Sequence, residues 1–437
     1  MARKRVHVPL NVFLNSRHVG VLRRESTGAI DFQYGRDWLD WHSAFPVSLS
    51  LPLREDRYIG SPVINVFDNL LPDSDTIRKR VAERVGAEGI DAFSLLTALG
   101  QDCVGALQFL PDGTDPGTAG NTDGKPVSDE EIADIIANLG SAPLGMGEDA
   151  DFRISIAGAQ EKTALLRKNG QWFKPIGTTA TTHILKPQIG QLPNGIDLSN
   201  SVENEYLGLK LLEALGVPTA HAEMADFGEH RTLIVERFDR LWTKDARLLR
   251  LPQEDMCQAL SIPPTRKYQS DGGPGMQEII NLLKASDTPD ADIPAFVRAC
   301  ILFWLLGATD GHAKNFSIFL SPGGRFRMTP LYDVLTAQPS LDEGQISRKK
   351  FRLAMSVGKN RHYAIHDIVP RHFMQTADLA GVGTPMMRVI FEDIAANAEQ
   401  QAEAAIAALP SAFPEQLITS AMAAITQRIR LVAASLS

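Results

Sequence analysis

The sequence predicts a two-lobed α+β fold, β-rich in its N-terminal part and mostly helical in its C-terminal part. Strand-like stretches dominate up to residue 250, whereas from Leu251 onward the chain is rich in Ala and Leu at helical spacing, with one β-like insertion at 316–330. A stretch rich in Gly, Asp and Thr at 112–127 is typical of a loop. We therefore predict three parts, which are an N-terminal β-rich subdomain (1–112), an α/β lobe (113–250) and a helical lobe (251–437).

Local signals predict the individual elements in chain order. Ser128 and Glu131 form a capping box for a helix that runs to Gly140. Gly216, followed closely by a proline, ends the helix that begins at Ser201. The other predicted elements are a hairpin over 12–24, a strand over 29–34, helices over 76–85 and 92–99, a strand over 105–110, an apolar helix over 294–306 and an amphipathic helix over 414–436.

Composition and charge narrow the class of protein. The chain has 437 residues, a net charge of −8 and a pI near 5.7, which excludes a protein whose whole surface is a polycation for nucleic acid. Its three cysteines lie far apart with no CxxC, as is usual in a reducing cytoplasm. The longest apolar run, 299–308, covers about half of the ~20 residues of a membrane helix. We therefore expect a cytoplasmic protein.

The stretch GATDGHAKNFSIFL, followed by TPLYDV, carries the strongest chemical signal. Asp310 and Asn315 lie five residues apart after an apolar helix, and Asp333 follows the next pair of predicted strands. In a kinase catalytic loop, the first carboxylate accepts the proton of the attacking hydroxyl, while an amide oxygen and a second carboxylate hold Mg²⁺. Asp and Asn are also common in turns, so this stretch alone leaves both interpretations open.

A lysine and a glutamate further up the chain favour the kinase interpretation. Lys186 ends an apolar strand in THILKP, as does the kinase lysine that pairs with the phosphates of ATP. In the next helix, Glu205 lies on the edge of the apolar stripe, whereas we expect Glu203 to face solvent. A buried carboxylate needs a cation, and Lys186 is the candidate. The alternative is a glutamate that reaches solvent from the edge of the stripe.

Two more stretches complete the order of motifs found in a kinase. The stretch ISIAGAQEKT, at 154–163, joins two β-rich segments with small residues that let backbone amides approach a polyphosphate. The strand at 235–238, VERF, offers backbone groups that can pair with an adenine edge. The chain thus presents a phosphate loop, a lysine strand, a helix with a glutamate, a hinge and the DxxxxN loop in kinase order.

At this point the residues resemble the HipA family of serine/threonine kinase toxins. The matching blocks are FRISIAGAQEKTALL, THILKP, VERFDR, LRLPQEDMCQ, YQSDGGPG and GATDGHAKNFSIF, with SLSLPL and FDNLLPDS in the first quarter. The resemblance spans essentially the whole chain. It implies a protein-kinase-like fold similar to those of HipA and phosphoinositide kinases, with ATP and Mg²⁺ as cofactors. It also implies a bacterial toxin that arrests growth and promotes persistence by phosphorylating a translation component, the family target being glutamyl-tRNA synthetase.

The same resemblance implies a partner and a role for each matching residue. The partner is a HipB-like helix-turn-helix antitoxin that binds operator DNA. Asp310 would be the catalytic base, Asn315 and Asp333 the Mg²⁺ ligands, and Ser155 the autophosphorylation site, where a phosphate would eject the phosphate loop and switch the kinase off. The residues implied to bind the nucleotide are Ala157, Gly158, Ala159, Gln160, Glu161, Lys162, Lys186, Glu236, Arg237, Phe238, His312, Lys314, Asn315, Tyr332 and Asp333.

Two other functions remain open from the sequence. The pattern Asp310-x-His312-x-x-Asn315 also fits the DxHxxN loop of lipid or small-molecule kinases, although the net charge of −8 disfavours anionic membranes. A catalytically silent co-repressor is the second, disfavoured by the intact set of catalytic residues. The segment after PRHF carries Asp378 where family members can offer basic residues to DNA, so we expect the antitoxin to make most of the operator contacts.

Overall fold

The computed structural model describes residues 7–146, 154–158 and 160–436. The chain divides into two compact units, and each unit is built from three separate segments of the sequence. Unit 1 comprises Met1–Pro187, Ala225–Thr265 and Ile318–Phe326, and unit 2 comprises Gln188–Met224, Arg266–Ser317 and Arg327–Ser437. The predicted division into parts at residues 112 and 250 stays a prediction.

The first sheet of unit 1 is antiparallel and contains the predicted N-terminal hairpin. Asn15 and Ser16, with φ of 46° and 64°, form the tight turn between its first two strands, because this turn needs left-handed backbone. The apolar residues Leu10, Val12 and Leu22 are buried on one face. The strands are, in sheet order, Tyr58–Ile59, Ile30–Tyr34, Arg17–Arg24, Leu10–Leu14 and Leu107–Pro111. The helices around this sheet are Arg36–Leu39, Ser61–Phe67, Asp75–Val85 and Ala92–Leu99, with a 3-10 turn at Asp68–Leu70.

The second sheet carries two of the unit 1 residues implied to bind nucleotide, Lys186 and Glu236. Its core consists of buried apolar residues from the sheet and from the helix Asp129–Ala137, among them Ile132, Leu165 and Leu185. The predicted capping box is confirmed, since Ser128 accepts from Glu131 N (3.2 Å) and Glu131 accepts from Ser128 N (2.8 Å). The strands are, in sheet order, Ala222–Phe227, His230–Glu236, His183–Pro187, Thr163–Lys168, Gln171–Pro175 and Gly124–Pro126.

Smaller elements complete unit 1. A three-stranded sheet takes its central strand, Ser317–Ser321, from late in the chain and its neighbours from Gln253–Asp255 and Arg325–Met328. Leu320 N donates to Pro252 O (3.0 Å), which ties this late strand to the segment before the first. The remaining elements are the strand pair Arg240–Trp242 and Leu248–Arg250, the helix Met256–Ala259, and 3-10 turns at Pro143–Gly145 and Pro264–Arg266.

Unit 2 is mainly helical. Its longest apolar helix, Pro289–Leu306, is buried along most of its length, and the C-terminal helix Glu415–Ala434 packs against it. Among the described helices, none has both the length and the apolar character to cross a bilayer. The other helices are Ser201–Ala214, Met276–Leu283, Gln338–Asp342, Pro370–Leu379 and Thr384–Ala407; the strands are Gly190–Gln191, Asp197–Leu198, Arg352–Val357 and His362–Ala364; 3-10 turns lie at Gln269–Asp271, Ala313–Asn315 and Ile365–Asp367.

The structure moves the ends of several predicted elements by a few residues, for example the helix that ends at Ala137 and not at Gly140. It also corrects two predictions of environment. The stretch 112–127 is not loop throughout, because Gly124–Pro126 forms an edge strand that pairs with Gln171–Pro175. Glu203 does not face solvent, because it is only 8% exposed and accepts a hydrogen bond from Gln188 Nε2 (2.7 Å). In both cases a contact outside the local sequence pattern decides the environment.

Candidate active site

The loop after the helix Pro289–Leu306 positions Asp310. Gly307 ends the helix in left-handed backbone (φ 73°), and Ala308 N donates back to Phe303 O (2.8 Å). A Cβ on Gly311 would lie 2.2 Å from the Phe303 ring, so only glycine lets the loop turn this closely over the helix. The loop leaves the Asp310 side chain 58% exposed.

Two aromatic side chains contact the Asp310 carboxylate. The Tyr268 hydroxyl donates to Asp310 Oδ1. Nε2 of His312, a buried histidine, lies 3.9 Å from the same oxygen. The Tyr268 and His312 rings pack edge to face, with centroids 4.9 Å apart. An exposed carboxylate in this setting can accept a proton from a bound hydroxyl.

Asn315 and Asp333 form the second part of this loop cluster. Asn315 Nδ2 donates to the Asp333 carbonyl oxygen (3.2 Å) and lies 3.4 Å from Asp333 Oδ2. Asn315 Oδ1 is buried and has no hydrogen-bond partner within the described part of the chain. A buried amide oxygen beside a carboxylate supplies the oxygen ligands that Mg²⁺ takes, so the residues present fit that ion.

Unit 2 holds the Asp333 segment against the helix Ser201–Ala214. A Cβ on Gly208 would lie 2.2 Å from Val334 O, so glycine permits this close approach. Asn204 exchanges two hydrogen bonds of 2.8 Å with the backbone of Thr336. Between these contacts and Asn315, Asp333 has left-handed backbone (φ 61°), a conformation that aspartate adopts more readily than most non-glycine residues.

Lys314 and Tyr332, both implied to bind nucleotide, contact each other through the Lys314 backbone. The Tyr332 hydroxyl donates to Lys314 O (2.8 Å) and lies 2.5 Å from Ser317 Oγ. Lys314 is buried. The six implied residues of unit 2 therefore form one cluster around the loop 310–315.

In unit 1, Lys186 lies on a central strand of the six-stranded sheet. It pairs with Leu233 on one neighbouring strand, and Leu185 beside it pairs with Thr163 on the other. Both Lys186 and Leu185 are buried. Glu205, which belongs to unit 2, is also buried, as the sequence predicted, and its pairing with Lys186 stays a prediction.

The implied phosphate loop precedes the strand Thr163–Lys168. Gly158 has a φ of 112°, and Lys162 Nζ donates to Ala157 O (2.7 Å), closing the loop on itself. Gln160 Nε2 donates to Pro187 O (3.1 Å), next to Lys186. Glu161 forms an ion pair with Arg80. Ala159, also implied to bind nucleotide, lies outside the described residues.

Ser155 lies at the start of this loop and is completely buried. Its backbone N donates to Asp102 O (2.9 Å) and its hydroxyl donates to Leu70 O (2.7 Å). Three residues further along, Gly158 O accepts from Asp73 N (3.1 Å). The N-terminal part of unit 1 thus holds the first half of the phosphate loop through contacts at Ser155 and Gly158.

The three residues of the implied hinge, 236–238, differ in how far their side chains are exposed to solvent. Glu236 is exposed and Phe238 is half-buried, with its ring edge-on to Phe319 at 5.8 Å. The Arg237 guanidinium is buried and donates to Asp239 (2.7 Å) and Cys103 O (2.9 Å). The Arg237 side chain therefore belongs to the protein interior, and only its neighbours offer side chains at the surface.

Arg237 is part of a buried charge cluster centred on Asp102. The Asp102 carboxylate lies within 3.4 Å of Arg237, 2.8 Å of Arg240 and 2.9 Å of Arg250. Burial alone would raise the pKa of Asp102, but these three guanidinium groups outweigh it and hold the pKa well below its usual range. The neighbouring Cys103 thiol has its pKa raised to about 12, by burial first and then by the Asp102 charge. This cluster joins the segment before the strand Leu107–Pro111 to the hinge.

Comparison with known proteins decides the family. The model of the HipA N-terminal domain matches residues 10–110, and the model of the HipA-like C-terminal domain matches residues 154–402. The chain belongs to the HipA family. The predicted resemblance is confirmed, and this HipA-family chain is a kinase that uses ATP.

Individual relatives agree with this assignment. The Y4mE protein of Sinorhizobium fredii is 36% identical over 385 residues, 87% of each chain. The serine/threonine-protein kinase toxin HipA of Shewanella oneidensis is 29% identical over 341 residues, 75% of each chain. A solved S. oneidensis complex of HipA, HipB and operator DNA has a TM-score of 0.81 at 24% identity, covering 98% of this chain and 99% of that one. The predicted α+β protein-kinase-like fold is confirmed.

Two features of this HipA-family kinase had no signal in the sequence. Tyr268 contacts Asp310 although 42 residues separate them. Asp102 contacts three arginines that lie 135 to 148 residues further along the chain. Spacing and periodicity reveal neighbours within one element, and neither contact lies within one.

Proposed function

We propose that this HipA-family kinase transfers the γ-phosphoryl group of ATP to a hydroxyl group of a protein, with Asp310 as the catalytic base. The observation that carries the proposal is the pair formed by Asn315 and Asp333, in which the Asn315 amide contacts the Asp333 carboxylate through Nδ2 and its buried oxygen has no hydrogen-bond partner among the described residues. The exposed Asp310 carboxylate precedes this pair on the same loop. A base and two oxygen ligands in this order are the parts that phosphoryl transfer requires.

Several of the implied residues then have a definite task. Asp310 accepts the proton of the attacking hydroxyl as the new P–O bond forms and the bond to the ADP oxygen breaks. Asn315 Oδ1 and Asp333 would hold Mg²⁺, which neutralises charge on the phosphates when bound. Lys186 pairs with the phosphates, and the loop around Gly158 offers backbone N–H groups to them. Glu236 and Phe238 contact the adenine.

We further propose that the kinase is the toxin of a toxin–antitoxin pair. The S. oneidensis relative is named a kinase toxin, and its solved complex contains HipB and operator DNA. The proposed substrate is a protein of translation, with glutamyl-tRNA synthetase as the first candidate. The proposed partner is a HipB-like antitoxin, which makes most of the operator contacts because this chain carries a net charge of −8.

A labelling experiment tests the proposed function. The purified chain and its Asp310→Gln variant are incubated with γ-labelled ATP and Mg²⁺, either alone, with bacterial lysate, or with phosphoinositide vesicles. We expect label on protein, including glutamyl-tRNA synthetase, that depends on Asp310. Label on lipid alone would support a lipid kinase, and a lack of any Asp310-dependent label would leave a silent co-repressor.

Replacing Asn315 with alanine is expected to raise the Mg²⁺ concentration for half-maximal labelling by about 10-fold, because the proposed site loses one oxygen ligand. Activity at saturating Mg²⁺ should recover in part. The matched control is Asn281→Ala on the helix Met276–Leu283, which should leave the Mg²⁺ titration unchanged. An unchanged titration for Asn315→Ala would remove Asn315 from the site.

Replacing Ser155 with aspartate is expected to lower ATP affinity by at least 10-fold. The native hydroxyl is buried and donates to Leu70 O, so a carboxylate there would place a charge against a carbonyl oxygen and drive the phosphate loop from its place. Ser155→Ala, which adds no charge, is the control and should bind ATP within about 3-fold of wild type. Fluorescent-nucleotide titration measures both, and full ATP affinity in Ser155→Asp would refute the proposed switch.

A further inference from the structure

A glycine-rich loop from Lys267 to Gly275 carries Tyr268 to the catalytic loop. Gly272 has a φ of 89°. A Cβ on Gly273 would lie 2.0 Å from Arg266 O, and one on Gly275 would lie 2.1 Å from Gln269 Nε2. Only glycine fits these positions without displacing the neighbouring atoms, so the glycines allow the backbone of this loop to fold tightly on itself.

Contacts on either side of Tyr268 fix the loop to the rest of unit 2. Lys267 O accepts from Ala313 N (3.3 Å), which lies within the catalytic loop. Gln269 Oε1 accepts from the Ser356 backbone N (2.6 Å) and from its hydroxyl (2.9 Å). Tyr268 is therefore held by the residues before and after it, and its backbone has little freedom to move away from Asp310.

The Tyr268 side chain has two contacts with the proposed catalytic machinery. Its hydroxyl donates to Asp310 Oδ1, and its ring packs against His312 at an interplanar angle of 83°. The Asp310 side chain is 58% exposed, and an exposed aspartate that nothing holds samples several rotamers. A hydrogen bond from a fixed donor selects one of them.

We propose that Tyr268 is a positioning residue that holds the Asp310 carboxylate in the orientation needed to accept the proton of the substrate hydroxyl. This inference rests on the proposed function, in which Asp310 is the base. General bases act only within hydrogen-bond reach of the proton they take, and small displacements of a catalytic group are costly in rate. Tyr268 acts through Asp310 and transfers no group itself.

The test compares Tyr268→Phe with Tyr363→Phe. Phenylalanine keeps the ring that packs on His312 and removes only the hydroxyl. Tyr363, on the strand His362–Ala364, lies against Arg352 at 5.0 Å and is the matched control. With γ-labelled ATP and a fixed amount of lysate protein, we expect Tyr268→Phe to lower the apparent kcat about 10-fold and to leave the KM for ATP within about 2-fold. Tyr363→Phe should match wild type.

A double variant separates positioning from a general structural role. If Tyr268 acts only through Asp310, adding Tyr268→Phe to Asp310→Gln causes no further loss of the residual rate. An equal 10-fold loss in that background, or a Tyr268→Phe rate at or above wild type, would overturn the inference. If Asp310→Gln itself retains full activity, the proposed base is wrong and the inference fails with it. If Asp310→Gln is impaired and Tyr268→Phe is not, only the inference fails.

Discussion

Replacing Asp310 with glutamine is expected to lower the kcat of phosphoryl transfer by about 10²- to 10⁴-fold, the usual contribution of a general base. Glutamine is one methylene longer than aspartate and its amide oxygen can still accept a hydrogen bond from Tyr268, but it cannot take a proton from the substrate hydroxyl. Because the Asp310 side chain is 58% exposed, the substitution removes no buried charge and should leave the fold intact.

Measuring the dissociation constant for ATP distinguishes loss of the catalytic base from loss of the folded structure. Asp310 is the proposed base and lies outside the set of proposed nucleotide ligands, so the dissociation constant for ATP should stay within about 3-fold of wild type. Asp367→Asn is the matched control, because Asp367 is an acidic residue of the same unit with a similar exposure of 62%. A kcat for Asp310→Gln within 3-fold of wild type would show that another group takes the proton.

Replacing Asp102 with alanine is expected to lower the free energy of unfolding by about 3–5 kcal/mol. The Asp102 carboxylate forms ion pairs with Arg237, Arg240 and Arg250. Without it, the three buried guanidinium groups have Asp239 as the one carboxylate left in the described cluster. A buried cation without its partner costs far more than a solvated one. The loss is a large fraction of the 5–15 kcal/mol that stabilises a typical domain.

Urea unfolding at pH 7 measures this loss, with Asp245→Ala as the control. Asp245 pairs with Arg247 at 2.7 Å on the surface, and such pairs contribute at most about 1 kcal/mol. Should Asp102→Ala fail to fold, Asp102→Asn, which keeps the shape, provides a smaller loss to measure. A free energy within 1 kcal/mol of wild type for Asp102→Ala would contradict the expectation.

The pH dependence of this contribution has a definite sign. The folded-state pKa of Asp102 lies below its usual 3.8, so its contribution to stability is complete above that value and decreases as the pH falls toward the folded-state pKa. The difference between wild type and Asp102→Asn should therefore be similar at pH 7 and pH 5 and narrow below about pH 4.

Local signals allowed much of the fold to be predicted from the sequence. The hairpin over 12–24 and the cap of the helix Asp129–Ala137 at Ser128 both depend on residues that are close together in the sequence. The loop 310–315 was predicted for the same reason, since its residues are adjacent in sequence. Its catalytic role stays a prediction until the labelling experiment is done.

Contacts between residues far apart in the chain determine environments that the sequence pattern does not predict, as Glu203 and Arg237 show. Helical periodicity describes one helix alone and predicts Glu203 in solvent, whereas Glu203 is buried and accepts a hydrogen bond from Gln188, which lies outside that helix. Arg237 was grouped with the nucleotide ligands because of its position in the VERF motif, yet its guanidinium is engaged by Asp239 and Cys103 O in the interior. The periodicity of one element carries no information on such partners.

The late strand Ser317–Ser321 has a consequence for synthesis on the ribosome. Unit 1 stays incomplete until residue 326 of 437 has been made, because Ile318–Phe326 belongs to it. A nascent or truncated chain that ends before residue 318 lacks the strand that pairs with Gln253–Asp255. It also lacks the hydrogen bond that Leu320 N donates to Pro252 O. Because the segments of the two units alternate along the chain, no single cleavage separates one complete unit from the other. Unit 1 therefore folds completely only after most of the chain has been synthesised.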